Sequence, residues 1–418
     1  MWLAYIDPGT GSMLFAILVG VFGAAFFALK NLFAKLTFRL KNGRKGSIEI
    51  DKPLEYVIFT DSKRYWNVFE PICDEFENRG IDLVYMTSSE DDPAFAKQYQ
   101  HIDRRFIGEG AKAFVTLNML KAKVLLSSTP GLDVLQWKRS KDVEFYIHIP
   151  HAISDITLYR MFGIDYFDSI LTSGQFHEKQ IRELERLRNL PAKEIVLVGQ
   201  PYMDVLKKRA DSCKKDAGDT VTILVAPSWG KSSILSRYGE SFIRAALATG
   251  YHVIIRPHPQ SFTSEKEMID KLISQFPESE QLEWNRDNDN FNVLNRASIL
   301  ISDFSGVIFD FALGFDKPVI YADTSFDKDP YDACWIDGDL WTFKTLSQIG
   351  VQLNEDQFAQ LKEIIDTTIC SQEMKASRDV AKSECWVNIG ASAPLIVDYL
   401  TRKNEELTKK SEKDQQIK

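Results

Sequence analysis

Short apolar runs alternate with segments of helical periodicity through the first half of the chain. Val68, Phe69, Ile72 and Phe76 recur at the spacing of one helical face, and Gly80 follows where such a helix can end. The apolar runs are rich in β-branched and aromatic residues, which predicts buried strands. These runs are YVIFT (56–60), DLVYMT (82–87), KVLLSS (123–128), EFYIHI (144–149), SILTS (169–173) and IVLVG (195–199).

A second series of the same kind begins after the polar segment 207–220. Because strands that alternate with helices form parallel sheets, we predict two doubly wound α/β domains, 54–210 and 211–400, that face a cleft. The polar end of the chain, 401–418, is predicted to be a disordered tail. The second series comprises the strands VTILVA (221–226), HVIIR (252–256), SILIS (298–302) and PVIYA (318–322), with helices predicted at 240–250 and 266–276.

The N-terminus has a different pattern. No charged residue occurs between Pro8 and Leu29, which is about the 20 residues that a helix needs to cross a bilayer. The next charged residues are all basic: Lys30, Lys35, Arg39, Lys41, Arg44 and Lys45. We therefore predict a single-pass anchor with a basic flank over 1–40 and a linker over 41–53, with the two predicted domains on the cytoplasmic side of the inner membrane. A buried core helix is the alternative interpretation.

Composition excludes few classes of protein. Apolar content of 44% and charged content of 26% are ordinary for a globular protein. The formal net charge of −8 argues against general nucleic-acid binding, which favours a basic chain. Five scattered cysteines without a CxxC pair indicate reduced thiols and give no zinc signal.

The stretch VIIRPHPQ, 253–260, places two candidate side chains at a strand end. The apolar run ends at Arg256, and Pro257 and Pro259 flank His258 and restrict its backbone. In open parallel sheets, ligands bind outside the carboxyl ends of the strands. Arginine suits a phosphate, and histidine can donate to a phosphoryl oxygen or move a proton. A rigid surface turn is the alternative interpretation.

The stretch ISDFSGVIFDFALGFDKPVIYAD, 301–323, indicates an anion site. A strand ends at Ser302 and Asp303, and Ser305 and Gly306 then open a helix, whose first N–H groups and dipole favour an anion. Asp303 is predicted either to contact the ligand or to cap that helix. Asp310, two turns further along, is either a contact for a ribose or a structural acid.

Two more stretches end at the same predicted cleft. In YIHIPHAISD, 146–155, His151 follows the strand end and can face His258 across the cleft, whereas His148 lies within the strand. APSWGKSS, 226–233, offers Ser228 and Lys231 but lacks the spacing of a P-loop. DNDN (287–290) and DGD (337–339) match a metal-binding pattern that arises easily by chance, and we interpret both as solvated loops.

Four motifs together resemble one known family. IIRPHP, ISDFSGVIFDFALGFDKPVIYAD, ILVAPSW and DYFDSILTSGQFHEKQI…IVLVGQPYMDVL occur in the order and spacing found in the CDP-glycerol glycerophosphotransferases, the teichoic-acid primases and polymerases. The resemblance covers roughly residues 55–400. It implies a GT-B fold, a donor nucleotide held mainly by the second domain, and transfer of glycerol phosphate from CDP-glycerol to a hydroxyl of a lipid-linked glycan.

The resemblance also implies roles for particular residues. The catalytic histidines of the family correspond to His151 and His258, and its serine pair corresponds to Ser305 and Gly306. The chain departs from the family twice, because Ala152 and the residue after it replace a Gly-Thr pair and Gly306 replaces the second serine.

These features predict a membrane-anchored transferase that moves glycerol phosphate, or a related polyol phosphate, from a CDP-alcohol to a glycan hydroxyl. The hypothesis assigns His151 as the general base, with Arg256, His258, Ser302, Ser305 and Gly306 at the donor phosphates. No cofactor or metal is expected, and the expected partners are the bilayer, a lipid-linked glycan and the nucleotide donor. A GT-B glycosyltransferase that uses a nucleotide sugar and an inactive membrane-anchored scaffold are the alternatives.

Overall fold

The computed structural model describes residues 53–213, 220–287, 289–322 and 326–416. The predicted membrane span, its basic flank and nearly all of the predicted linker lie outside these ranges. Within them, no helix combines the length and apolar character needed to cross a bilayer.

Seven parallel strands form the sheet of the N-terminal domain, in the order β3-β2-β1-β4-β5-β6-β7. All six strands predicted for this domain are confirmed, and β3 is additional. The strands are β1 (Leu54–Thr60), β2 (Leu83–Thr87), β3 (Ile102–Phe106), β4 (Ala122–Ser127), β5 (Val143–His148), β6 (Ser169–Thr172) and β7 (Glu194–Leu197). The helices that accompany them are α1 (Trp66–Asn78), α2 (Ala111–Leu117), α3 (Gln175–Arg188) and α4 (Pro201–Ser212).

Six parallel strands form the second sheet, in the order β10-β9-β8-β11-β12-β13. The four strands predicted here are confirmed, and the two outermost strands are additional. The strands are β8 (Thr222–Val225), β9 (His252–Ile255), β10 (Leu282–Trp284), β11 (Ile299–Ser302), β12 (Val319–Ala322) and β13 (Gly350–Leu353).

Helices cover both faces of the second sheet, and buried isoleucine, leucine and valine side chains of β8, β9 and β11 pack beneath them. The helix predicted to open at Ser305 and Gly306 begins with Val307–Phe309 and continues as a π turn, Asp310–Gly314. The remaining helices are α5 (Ile234–Arg237), α6 (Gly239–Ala248), α7 (Ser261–Ser264), α8 (Lys266–Gln275), α9 (Phe291–Arg296), α10 (Val307–Phe309), α11 (Trp341–Ile349), α12 (Leu361–Cys370), α13 (Gln372–Cys385) and α14 (Ser392–Gln416).

The prediction of a disordered tail is wrong as far as residue 416. Helix α14 runs through the predicted tail, and its first turns bury Ile396, Tyr399 and Leu400 in the core of the N-terminal domain. Tyr399 donates a hydrogen bond to Ser169 Oγ (2.8 Å), and Asn404 donates to the Tyr56 hydroxyl (2.9 Å). The chain therefore returns to the first domain before residue 400. The apolar residues at the start of α14 hold the polar remainder of that helix against the first sheet.

Two buried carboxylates, one from each domain, join the domains across the cleft. Asp155, which follows β5, accepts the backbone N–H groups of Trp341 (3.0 Å) and Thr342 (2.7 Å) and so caps α11 of the second domain. Asp332, which follows β12, accepts the N–H groups of Phe162 (2.7 Å) and Gly163 (3.0 Å) in the first domain. These bonds fix the relative position of the loops that border the cleft.

Candidate active site

The loops after β9 and β11 form one wall of the cleft. Strand β8 lies between β9 and β11 in the sheet, so the carboxyl ends of all three strands open at the same edge. Arg256 and His258 follow β9, and Ser305 and Gly306 follow β11. The sheet order therefore brings two separate sequence motifs into one wall, which we call the C-terminal wall.

A cavity of about 290 Å³ separates this wall from residues of the first domain. Six residues that the sequence singled out line it: His151, Arg256, His258, Ser305, Gly306 and Asp310. The other lining residues are Arg64, Tyr65, Asn67, Ala152, Tyr202, Ala226, Pro227, Pro259, Asn290 and Val307. We call the part formed by Arg64, Tyr65, Asn67, His151 and Ala152 the N-terminal wall.

His258 is held as a hydrogen-bond donor. Its Nδ1 accepts the backbone N–H of Gln260 (3.1 Å), so the neutral ring carries its proton on Nε2. Burial, together with the positive charges of Arg64 and Arg256, lowers the pKa of His258 to about 4, which keeps the ring neutral near pH 7. In the empty site His258 can therefore offer an Nε2–H group to a phosphoryl oxygen.

Arg256 and Asp310 lie at the base of the C-terminal wall. Arg256 Nη2 donates to the carbonyl oxygen of Asp287 (2.9 Å), and its buried Nε meets no acceptor among the described residues. Asp310 is 7% exposed, and its Oδ2 accepts the hydroxyl of Tyr202 (3.2 Å). Burial raises the pKa of Asp310 to about 7, against the opposing effects of Tyr202 and Arg256. Its Oδ1 is buried and has no hydrogen-bond partner within the described ranges.

His151 is the central residue of the N-terminal wall. Its ring packs against the ring of Tyr65, with the centroids 4.7 Å apart, and near that of Tyr159 at 6.2 Å. Nδ1 is buried and finds no partner in the part of the chain that the structure describes, so a ligand would meet the ring through Nε2. Burial lowers the pKa of His151 to about 4, so the ring is neutral near pH 7 and can accept a proton.

Four predicted contacts lie outside the cavity. Ser302 is fully buried and donates to the carbonyl oxygen of Ala226 (2.7 Å), so its hydroxyl joins two strand ends rather than facing a phosphate. Asp303 accepts the N–H groups of Ser228 (2.9 Å) and Ile234 (3.1 Å), so it holds the loop after β8 and does not cap α10. Ser228 is itself buried, and Lys231 is exposed outside the lining.

Sequence reasoning missed several lining residues. Arg64 and Tyr65 lie on a single 3₁₀ turn after β1, and one basic and one aromatic residue in a loop carry no motif. Tyr202 lies within the motif IVLVGQPYMDVL but carried no prediction of its own, and its hydroxyl also lies 3.2 Å from Asn290 Oδ1. The interpretation of DNDN as a solvated loop did not predict a role for Asn290, which immediately precedes α9 and lines the cavity.

No cluster of three or more His, Cys, Asp and Glu side chains suited to a metal ion occurs within the described ranges. A larger groove, of about 520 Å³, lies between α1, α4 and the start of α14. It is lined by proline, aliphatic, lysine and aspartate side chains and contains none of the predicted site residues. We therefore take the smaller cavity as the candidate active site, because the strand ends of the second sheet open there.

Comparison with known proteins gives a family match over residues 157–386, to the model described as CDP-Glycerol:Poly(glycerophosphate) glycerophosphotransferase. The chain belongs to this family. The family resemblance and the prediction of a glycerophosphotransferase-type enzyme are thereby confirmed. The match includes the whole C-terminal wall and begins after His151, so Arg64 and His151 lie outside it.

A curated relative is similar over a shorter region. The minor teichoic acid biosynthesis protein GgaB of Bacillus subtilis (strain 168) is 29% identical over 160 residues, which cover 32% of this chain and 16% of GgaB. The alignment thus spans about one-sixth of the length of GgaB.

Solved structures show the same fold. UDP-GlcNAc 2-epimerase of Methanocaldococcus jannaschii, solved with UDP-GlcNAc and UDP, superposes with a TM-score of 0.55 at 13% identity over 84% of this chain and 100% of that one. A putative UDP-N-acetylglucosamine 2-epimerase of Listeria monocytogenes gives 0.53 at 12% identity over 83% and 95%. Together with the two parallel sheets, these neighbours identify a GT-B-like architecture and confirm the predicted α/β fold class.

Proposed function

We propose that this protein transfers glycerol phosphate, or a related polyol phosphate, from a CDP-alcohol to a hydroxyl of a lipid-linked or cell-surface glycan and releases CMP. The observation that carries the proposal is a single cavity with Arg256, His258, Ser305 and Gly306 on one side and His151 on the other. Membership of the glycerophosphotransferase family and the similarity to GgaB support the class of polymer.

The proposed step is a direct phosphoryl transfer. The acceptor hydroxyl gives its proton to His151, and its oxygen bonds to the β-phosphorus of the donor. The bond between that phosphorus and the bridging oxygen breaks, and CMP leaves with the electron pair. The negative diphosphate favours the imidazolium form, which raises the low pKa of His151 when the donor is bound.

The C-terminal wall would hold the donor. Arg256 and the Nε2–H of His258 would bind the phosphate oxygens, and backbone N–H groups at Ser305 and Gly306 would add donors at the helix start. Preorganised donors of this kind contribute about 3–4 kcal/mol each to transition-state stabilisation. Asp310 would accept a hydroxyl of the donor through its unpartnered Oδ1, as a ribose contact or as a contact to the polyol.

The proposal includes the predicted anchor. A single-pass span before residue 30 would hold the catalytic domains at the cytoplasmic face of the membrane and raise the effective concentration of a lipid-linked acceptor. The anchor is tested by membrane fractionation of the full chain and of a chain that begins at residue 46. Equal recovery of both chains in the soluble fraction would contradict it.

A donor screen tests the function directly. CDP-glycerol, CDP-ribitol, UDP-sugars and CMP-sugars are compared by thermal shift, and CMP release and product mass are then measured on a synthetic lipid-linked acceptor. We expect stabilisation by a CDP-alcohol and CMP release with it. Stabilisation by a UDP-sugar alone would favour a glycosyltransferase, and nucleotide binding without turnover would favour an inactive scaffold.

One pair of variants links the activity to the cavity. His258→Ala should lower kcat by about 10²–10³-fold, because it removes a preorganised donor. His252→Ala is the matched control, since His252 begins the same strand and its Nδ1 lies 3.2 Å from the carbonyl oxygen of Glu280, away from the cavity. Equal activities of the two variants would remove His258 from the mechanism.

A further inference from the structure

Arg64 reaches the cavity from a turn that three loops hold in place. The turn Lys63–Tyr65 follows β1, and the Ser62 side chain accepts the N–H of Arg64 (3.3 Å). Ser89, after β2, accepts the N–H of Lys63 (3.0 Å). Thr129, after β4, accepts the N–H of Asp61 (3.2 Å). The carboxyl ends of three neighbouring strands therefore fix the point from which the Arg64 side chain extends.

The guanidinium of Arg64 is available to a ligand. Across the described ranges it forms no ion pair with an acidic side chain, whereas the neighbouring Lys63 pairs with Asp91. Arg64 lines the cavity, and its charge lowers the pKa of His258 on the opposite wall more than Arg256 does. The next residue, Tyr65, packs against His151 within the N-terminal wall. The same turn therefore contacts His151 and places Arg64 in the cavity lining.

The proposed donor carries two negative charges, and two cations line the cavity. The diphosphate bridge of a CDP-alcohol carries one negative charge on each phosphate. His258 is neutral near pH 7 in the empty site, so Arg256 is the cation that the C-terminal wall brings to the cavity lining. Arg64 supplies the second cation to the same lining, from the opposite wall. Two guanidinium groups, one from each domain, then match the two phosphates of the donor in number.

We propose that Arg64 binds the transferred phosphoryl group of the donor from the N-terminal wall, opposite Arg256 and His258. The proposal rests on the proposed function and adds to it a residue outside the matched family region. It assigns the two phosphates to different domains: Arg256 holds the phosphate that leaves with CMP, and Arg64 holds the phosphate that moves to the acceptor. Arg64 would also stabilise the charge that develops on the transferred group.

Comparing two ligands isolates the transferred phosphate. CMP lacks that phosphate and CDP-glycerol contains it, so Arg64→Ala should leave CMP affinity unchanged. Its CDP-glycerol affinity should fall about 10–100-fold, as expected for the loss of a hydrogen-bonded charged partner. Arg64→Lys should recover part of the loss, because it keeps the charge without the fork of donors. Lys63→Ala is the matched control, since its side chain pairs with Asp91 away from the lining.

Titration calorimetry with CMP and with CDP-glycerol, followed by CMP-release kinetics, gives distinguishable outcomes. A selective loss of CDP-glycerol affinity together with a lower kcat supports the proposal. Equal losses for both ligands, or wild-type affinities with only a raised KM for the acceptor, would overturn it while the proposed function stands. If the wild-type protein binds neither CMP nor a CDP-alcohol, the proposed function is wrong and the role of Arg64 is wrong with it.

Discussion

The two walls of the cleft are built differently. On the C-terminal wall, Arg256, His258, Ser305 and Gly306 each lie within four residues of a strand end, and β8 alone separates the two strands. On the N-terminal wall, the turn Lys63–Tyr65 follows β1 and His151 follows β5, with β4 between them. In the proposed mechanism, the first wall supplies hydrogen-bond donors to the phosphates, whereas the second supplies the general base His151 and one cation, Arg64. We therefore expect the C-terminal wall to hold the nucleotide side of the donor, and His151 of the N-terminal wall to control turnover with little effect on donor affinity.

The strongest test of this division is His151→Ala. A positioned general base contributes about 10²–10⁴-fold, so kcat should fall by that factor while CDP-glycerol affinity stays close to wild type. Single-turnover CMP release and titration calorimetry measure the two quantities. His101→Ala is the control, because His101 lies on the surface beside Asp82, 3.0 Å from its carboxylate. A loss of donor affinity as large as the loss of kcat would contradict the division between the walls.

The next test weakens a contact between the two domains at a residue outside the cavity lining. Asp332→Asn removes the charge that pairs with Arg188 and that accepts two N–H groups of the first domain. We expect a loss of about 2 kcal/mol in the free energy of unfolding, measured by denaturant titration, because a hydrogen-bonded charge is lost from a buried site. Turnover should fall more than donor affinity. Asp329→Asn, which changes an exposed residue nearby, is the control. Equal losses of turnover and donor affinity would contradict different roles for the two walls.

A pH titration examines the base of the C-terminal wall. Burial raises the pKa of Asp310 to about 7, whereas an unfolded aspartate titrates near 3.9. The stability contributed by the protonated carboxyl is therefore complete below about pH 4 and is lost as the pH rises through about 7. Asp310→Asn does not titrate, so its Tm relative to wild type should increase between these pH values in scanning calorimetry. A constant difference would contradict the raised pKa.

The smallest expected effect concerns the departure from the family at Gly306. A Cβ on Gly306 would have the Ala152 Cβ as its neighbour, at 3.8 Å, which is an ordinary contact across the two walls. The backbone of Gly306 has φ −57°, so a serine fits the conformation. Gly306→Ser should change the free energy of unfolding by less than about 0.5 kcal/mol and should strengthen donor binding slightly through the added hydroxyl. Weaker binding would indicate that the donor needs the space beside Ala152.

All nine interior strands could be predicted, whereas three of the four edge strands could not, the exception being β7. The ten predicted strands are apolar runs because helices cover both sides of each sheet. Strand β3, with the sequence IDRRF, lies at an edge and carries charges, and β10 and β13 are the edges of the second sheet. The prediction of a disordered tail over 401–418 is wrong for a related reason, since these polar residues do not include the apolar side chains just before them, such as Leu400, that hold the helix in the core.

Some residues of the candidate site could be predicted from the sequence, and others could not. The sequence by itself determined which two motifs meet at the cavity, because Arg256, His258, Ser305 and Gly306 closely follow apolar strands, and parallel strands open their carboxyl ends at one edge. Only the tertiary structure decided that Ser302 and Asp303 turn inward to neighbouring loops while Arg64, Tyr202 and Asn290 face the cavity. The physical reason is that a side chain's direction at a loop depends on hydrogen bonds and packing from strands far away in sequence, which local periodicity does not contain.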